Sequence, residues 1–125
     1  MTMQKIRLEL ARDHDFPSGS SEHGYVLQAP LTAEGHIDPE EWKVNRQHCR
    51  VRRFWKGHSE ETGHLIRKPG GSWAFHYDIN GDPDDDETGY RFGTHVFKPG
   101  EYVSIREHDD HLRTFRVVTV TGTAS

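Results

Sequence analysis

Gly63-His64-Leu65-Ile66-Arg67-Lys68-Pro69-Gly70-Gly71-Ser72-Trp73-Ala74-Phe75-His76-Tyr77 is the stretch that decides the fold class. Trp73, Phe75 and Tyr77 stand at every second position, the spacing that puts side chains on one face of a strand. Pro69-Gly70-Gly71 supplies turn chemistry between two such runs, so 63–68 and 72–77 read as a β-hairpin. Toward the N-terminus, Ile6, Leu8 and Leu10 alternate with Lys5, Arg7 and Glu9, which predicts a half-buried strand over 4–10. Tyr25, Val26 and Leu27 form a second short strand closed by Pro30, and Val51, Phe54 and Trp55 mark a basic strand after Arg50. Toward the C-terminus, 90–97 is a weaker strand, Lys98-Pro99-Gly100 turns the chain into 102–106, and a last strand runs over 112–121. There Phe115 and Val117 share one face while Val118 and Val120 share the other, so either both faces are covered or a bulge shifts the register.

One helix signal interrupts these strands. Asp38 is a capping residue, Pro39 suits the first helical position, and Glu41 stands three residues after the cap. Ile37 and Trp42 are placed for a hydrophobic staple. A short helix over 39–48 is expected on the surface, with Trp42 as its anchor, because its apolar stripe is otherwise poor. Six or more short strands and frequent Gly and Pro turns then predict a mainly β fold, a small β-barrel or a strongly bent antiparallel sheet with that one surface helix. The closing stretch from Phe97 to Val120 resembles hairpins found in many small bacterial barrel domains.

At 125 residues the chain is expected to form a single domain over 1–125, with an acidic loop at 78–89 inserted between strands. Only 32% of the residues are hydrophobic, so the core must be thin and must lean on the thirteen aromatic side chains. No apolar run is long enough to cross a bilayer and the charged start differs from a secretory signal, which makes a soluble, cytoplasmic protein with no membrane partner the expectation. The single cysteine, Cys49, excludes an intrachain disulfide.

The net charge of -4 conceals two opposed segments. From Trp42 to His58 the chain carries Lys43, Arg46, Arg50, Arg52, Arg53 and Lys56 and no acid, whereas 78–89 carries six acids and no base. Arginines for phosphate with aromatics for stacking suit an anionic ligand, and Arg50, Arg52, Arg53, Trp55 and Lys56 are the candidate binding residues. A single-stranded nucleic acid or an acidic protein surface would fit them. An overall pI near 6.2 is not that of a dedicated nucleic-acid binder, and mutual neutralisation of the two segments would explain the same pattern.

In the acidic segment, Asp78, Asn80, Asp82 and Asp84 stand at alternate positions, as hard ligands do in a Ca²⁺ loop. Pro83 and Gly89 occupy positions where an EF-hand wants Gly and Glu, so an EF-hand is excluded. The alternatives are a looser Ca²⁺ or Mg²⁺ site and a solvated turn, and no other cofactor is expected. Ten histidines include only one locally suggestive pair, His108 and His111, which would need partners such as His64 or His95 to hold zinc. Ser18, Ser20 and Ser21 near His23 lack a nucleophile-elbow pattern. Cys49 beside His48 is the one thiol-enzyme candidate, with burial as a structural thiol the competing expectation. With no catalytic signature, the sequence reads as a binding or accessory module rather than an enzyme; its alternatives are a divalent-cation binding domain on the 78–86 loop and a small thiol or metal-dependent enzyme.

Overall fold

The computed structural model describes residues 2–68, 72–77, 87–90, 95–107 and 111–122. Among these residues eight strands follow one another as an antiparallel meander: β1 (Thr2–Leu10), β2 (Ser20–Leu31), β3 (Arg50–Trp55), β4 (Glu61–Arg67), β5 (Trp73–Tyr77), β6 (Glu87–Tyr90), β7 (Tyr102–Arg106) and β8 (Leu112–Gly122). Each pairs with the next, and β8 returns to pair with β1, so the sheet closes into a barrel. The sequence expectation of a small barrel holds. Strand β2 is far longer than the short run around Tyr25, and β6 begins at Glu87, inside the segment read as acidic loop. Of the strand expected over 90–97, Tyr90 closes β6, 95–97 are not in a strand, and 91–94 lie outside the described residues. The turn at 69–71, His108 and the candidate cation ligands Asp78, Asn80, Asp82 and Asp84 lie outside the described residues.

Alternation along the strands sorts the side chains. Ile6, Leu8 and Leu10 of β1, Tyr25 and Leu27 of β2, Leu65 of β4, Phe75 of β5, Ile105 of β7 and Phe115 and Val117 of β8 are all buried in one core cluster. An eight-stranded barrel has an interior just wide enough to be filled by side chains, so this core is packed rather than hollow. Burying each large apolar side chain favours folding by about 1.5–3 kcal/mol, so among the described residues the buried aromatics Tyr25, Trp42, Trp73, Phe75, Tyr77, Phe97 and Phe115, with the buried aliphatics, support so polar a chain. The double-faced pattern of β8 is a bulge. Arg7 pairs with Thr119 but Leu8 pairs with Val117, so Val118 is the extra residue, and Val120 returns toward the core opposite Ile6.

The two barrel ends differ in chemistry. At one end, helix α1 (Pro39–Val44) is capped by Asp38, whose side chain accepts hydrogen bonds from the Glu40 and Glu41 amides. It is shorter than the run over 39–48: Asn45 ends it and Arg46–His48 form a 3-10 turn. Val44 is 74% exposed there, so no apolar stripe holds a further turn against the barrel. Trp42 plugs this end, its indole Nε1 donating to the Leu65 carbonyl at 2.9 Å and its ring meeting Trp73 edge-on at 5.1 Å. Ile37, Cys49 and Phe97 are buried in the same core. The opposite end, where β1, β3, β5 and β7 finish, is closed by charged side chains.

Two glycines let the wall close. A Cβ on Gly63 would stand 2.1 Å from the His76 carbonyl oxygen, and one on Gly24 would stand 1.9 Å from that of Leu8. Backbone meets backbone at both points, so no side-chain rotation relieves the clash. Gly63→Ala is therefore expected to destabilise the fold by about 1–3 kcal/mol in urea denaturation. Gly122→Ala, whose Cβ would meet nothing within 4 Å, is expected to leave the midpoint nearly unchanged.

Candidate functional site

Strand β3 decides what the basic segment can do. Val51 and Arg53 are buried while Arg50 and Arg52 are exposed, the period-2 outcome of a strand with one face inward. The sequence grouped Arg50, Arg52, Arg53, Trp55 and Lys56 as one surface, and the structure divides them between two environments.

Arg53 belongs to the interior. Its Nε and Nη2 donate to Glu107 Oε2 at 3.3 Å, and its Nη1 lies 3.6 Å from Glu61 Oε1. Arg113 Nε donates to the other carboxylate oxygen, Glu107 Oε1, at 3.1 Å. The Tyr25 hydroxyl donates to Glu107 Oε2 at 2.5 Å. A single carboxylate, only 2% exposed, thus ties together β2, β3 and β8 from its position just past β7. Arg113 extends the cluster outward to Asp13 at 2.9 Å and Asp15 at 3.3 Å, in the β1–β2 loop. Trp55 supports both cations, with the Arg53 and Arg113 guanidinium carbons 4.4 and 5.5 Å from its ring centroid. His23 and Phe16 meet Trp55 edge-on, at 4.3 and 6.1 Å between centroids.

Among the described residues no buried side-chain nitrogen or oxygen lacks a hydrogen-bond partner, so this cluster is a satisfied charged plug. Sequence reasoning missed Tyr25, Glu107 and Arg113, which lie 82, 54 and 6 residues from their partners in the cluster. The available signal was an arginine at an inward position of two strands, Arg53 and Arg113, each of which demands a buried anion.

Arg50, Arg52 and Lys56 remain outside. Lys56 lies beyond the strand end, 3.3 Å from Glu22. Arg52 has a loose pair with Glu60 at 3.5 Å, both side chains about half exposed. Arg50 Nη1 lies 3.0 Å from His64 Nε2 across the β3–β4 seam. With Lys5 on β1, Arg50 and Arg52 line a shallow groove of about 240 Å³ over β1–β4, together with Val26, Gln28, Val51 and Thr62. Three cations and no acid line it. Lys5 was not singled out by its sequence neighbours, because it reaches β3 only through the pairing of β1 with β2.

The thiol reading meets a different environment. Cys49 is fully buried, and desolvation pushes its thiol up to about 11, far from an activated thiolate at neutral pH. Ser20 Oγ does meet a histidine, His23 Nδ1 at 2.6 Å, but it also accepts the Glu22 amide and so locks a local turn. Among the described residues no group of three His, Cys, Asp or Glu side chains is arranged to hold a metal ion. No helix among them is long and apolar enough to cross a membrane.

Two outcomes follow from the plug. Glu107→Ala leaves two buried guanidinium groups without their shared counter-ion and is expected to cost about 3–5 kcal/mol, read by urea denaturation. Asp15→Ala, at a half-exposed rim carboxylate, is expected to cost less than about 1 kcal/mol in the same assay. His23 gives the plug a pH dependence. Burial lowers its pKa below 6.5, and Arg53, Lys56 and Arg113 push the same way against Glu22. The unfolded chain then binds more protons in the window below 6.5, so stability at neutral pH declines as pH falls from 6.5 through the lowered value. His23→Gln is expected to remove that part of the decline, measured as urea midpoints from about pH 7 to pH 5.

Comparison with protein families, curated proteins and solved structures finds no match for this chain.

Proposed function

We propose that the chain is a small binding module for an anionic ligand, carried by the outward face of β1–β4. The observation that supports this reading is the groove in which Lys5, Arg50 and Arg52 converge with no acidic side chain in the lining. Arg7 adds a fourth cation to the same outer face, its guanidinium carbon 4.5 Å from the Phe54 ring centroid, although Glu9 takes its Nε at 2.8 Å. Guanidinium groups match phosphate and carboxylate with paired donors, and Gln28 and Thr62 offer neutral hydrogen bonds between them. Arg53 and Trp55 serve this surface indirectly, by fixing β3 from the inside.

A basic strip a few strands wide suits a flexible polyanion, of which a single-stranded oligonucleotide is the simplest form. A fluorescence titration with a short oligothymidylate at low and moderate salt is expected to show binding that weakens as salt rises. Arg52→Ala and Lys5→Ala are each expected to lower the affinity and flatten the salt dependence while leaving the urea midpoint nearly unchanged. The absence of binding at low salt, where the electrostatic attraction is greatest, would contradict the nucleic-acid form of the proposal.

A further inference from the structure

A second recess lies around the barrel from the basic groove, and its origin is a break in strand pairing. Glu9 pairs with Gly24 but Leu10 pairs with Ser20, so residues 21–23 are looped out of the β1–β2 ladder. Gly19 makes the return possible, with φ at +73° and no room for a Cβ, which would lie 2.7 Å from the Leu10 carbonyl oxygen. Beside this break, between the β1–β2 connection and strands β7 and β8, lies a cleft of about 690 Å³, within the size range of small-molecule sites.

The cleft lining is chemically specific. Arg12 from the loop and Arg116 from β8 both border it, and neither has an ion-pair partner among the described residues. Tyr102 of β7 and Glu9 of β1 are the direct cross-strand partners of Arg116, and Tyr102 is 55% exposed, so an accessible aromatic side chain and a guanidinium arise from facing positions of the cleft wall. Ser18 and Ser21 add hydroxyl groups, whereas the Ser20 hydroxyl is already engaged by His23 and the Glu22 amide. The one acid in the lining, Glu9, is held by Arg7 at 2.8 Å, which offsets its repulsion of an anion.

We infer that this cleft binds a small phosphate monoester carrying an aromatic or heteroaromatic ring, a molecule of mononucleotide size. The phosphate is taken by the paired donors of Arg12 and Arg116 with serine hydroxyls, and the ring lies on Tyr102. The site is separate from the groove of Lys5, Arg50 and Arg52 and does not depend on it.

Calorimetric titration with adenosine 5′-monophosphate, inorganic phosphate and adenosine tests the inference. Saturable binding of the monophosphate is expected, with amide shifts clustered at 9–12, 18–21, 102 and 114–116. Phosphate alone and adenosine alone are each expected to bind more weakly. Arg116→Ala and Arg12→Ala should each weaken the monophosphate by about tenfold or more, at an unchanged urea midpoint because both side chains are exposed. Tyr102→Ala should bring the affinity for the monophosphate down toward that for inorganic phosphate. Arg52→Ala should leave it unaltered, which separates this site from the groove. No binding of the monophosphate, binding unaffected by Arg12→Ala and Arg116→Ala, or binding lost in Arg52→Ala instead would each overturn the inference.

Discussion

The Glu107 carboxylate is the constraint around which the rest of the barrel is arranged. An eight-stranded wall has inward positions at both ends as well as in the middle, and the sequence places Arg53 and Arg113 at inward positions near one of them. Burying a guanidinium is costly unless it is paired and hydrogen-bonded. Glu107 meets that demand for both at once and takes the Tyr25 hydroxyl as well. Because Tyr25 also packs between Phe75 and Phe115, the polar clamp and the aromatic core share a side chain. Loss of the clamp would therefore loosen the seams of β2, β3 and β8 together.

The clamp also explains how an acidic chain presents a basic surface. The cations that close the barrel are paired with buried Glu107 and, toward the rim, with Glu61, Asp13 and Asp15. Those on the outward face of the same strands answer to solvent and to weaker rim contacts such as Arg52 with Glu60. Alternation within β3 thus places a buried, paired arginine and an exposed one side by side in the chain. The wall bears a groove over β1–β4, and the broken ladder beside Gly19 opens a cleft against β8, so two recesses with arginines arise from the geometry of a single sheet.

Much of this architecture was legible in the sequence. The alternation of Ile6, Leu8 and Leu10 and of Trp73, Phe75 and Tyr77 named the inward faces, and Asp38-Pro39 marked the helix start. The crowded valines of β8 left covered faces or a bulge as alternatives, and the pairing decides for a bulge at Val118. The end of the helix was hidden because it depends on where Val44 falls against the barrel, and Val44 is left exposed. A closed barrel and a bent open sheet stayed alternatives because the pairing of β1 with β8 that decides between them joins residues more than a hundred positions apart. The site was only half legible for the same reason. Charge density picked out 50–56, but the pairing that sets Lys5 beside Arg50 and Arg52, and the clamp that removes Arg53 from the surface, exist only in three dimensions.

The division of labour within β3 is tested most directly by comparing Arg53→Ala with Arg52→Ala in urea denaturation at neutral pH. Removing Arg53 strips the buried Glu107 of one of its two cations, and a loss of about 3 kcal/mol or more is predicted. Removing Arg52, half exposed and loosely paired, is predicted to change stability by less than about 0.5 kcal/mol. Equal losses from the two neighbours, or a larger loss from Arg52, would contradict the assignment of the one to the interior and the other to the surface.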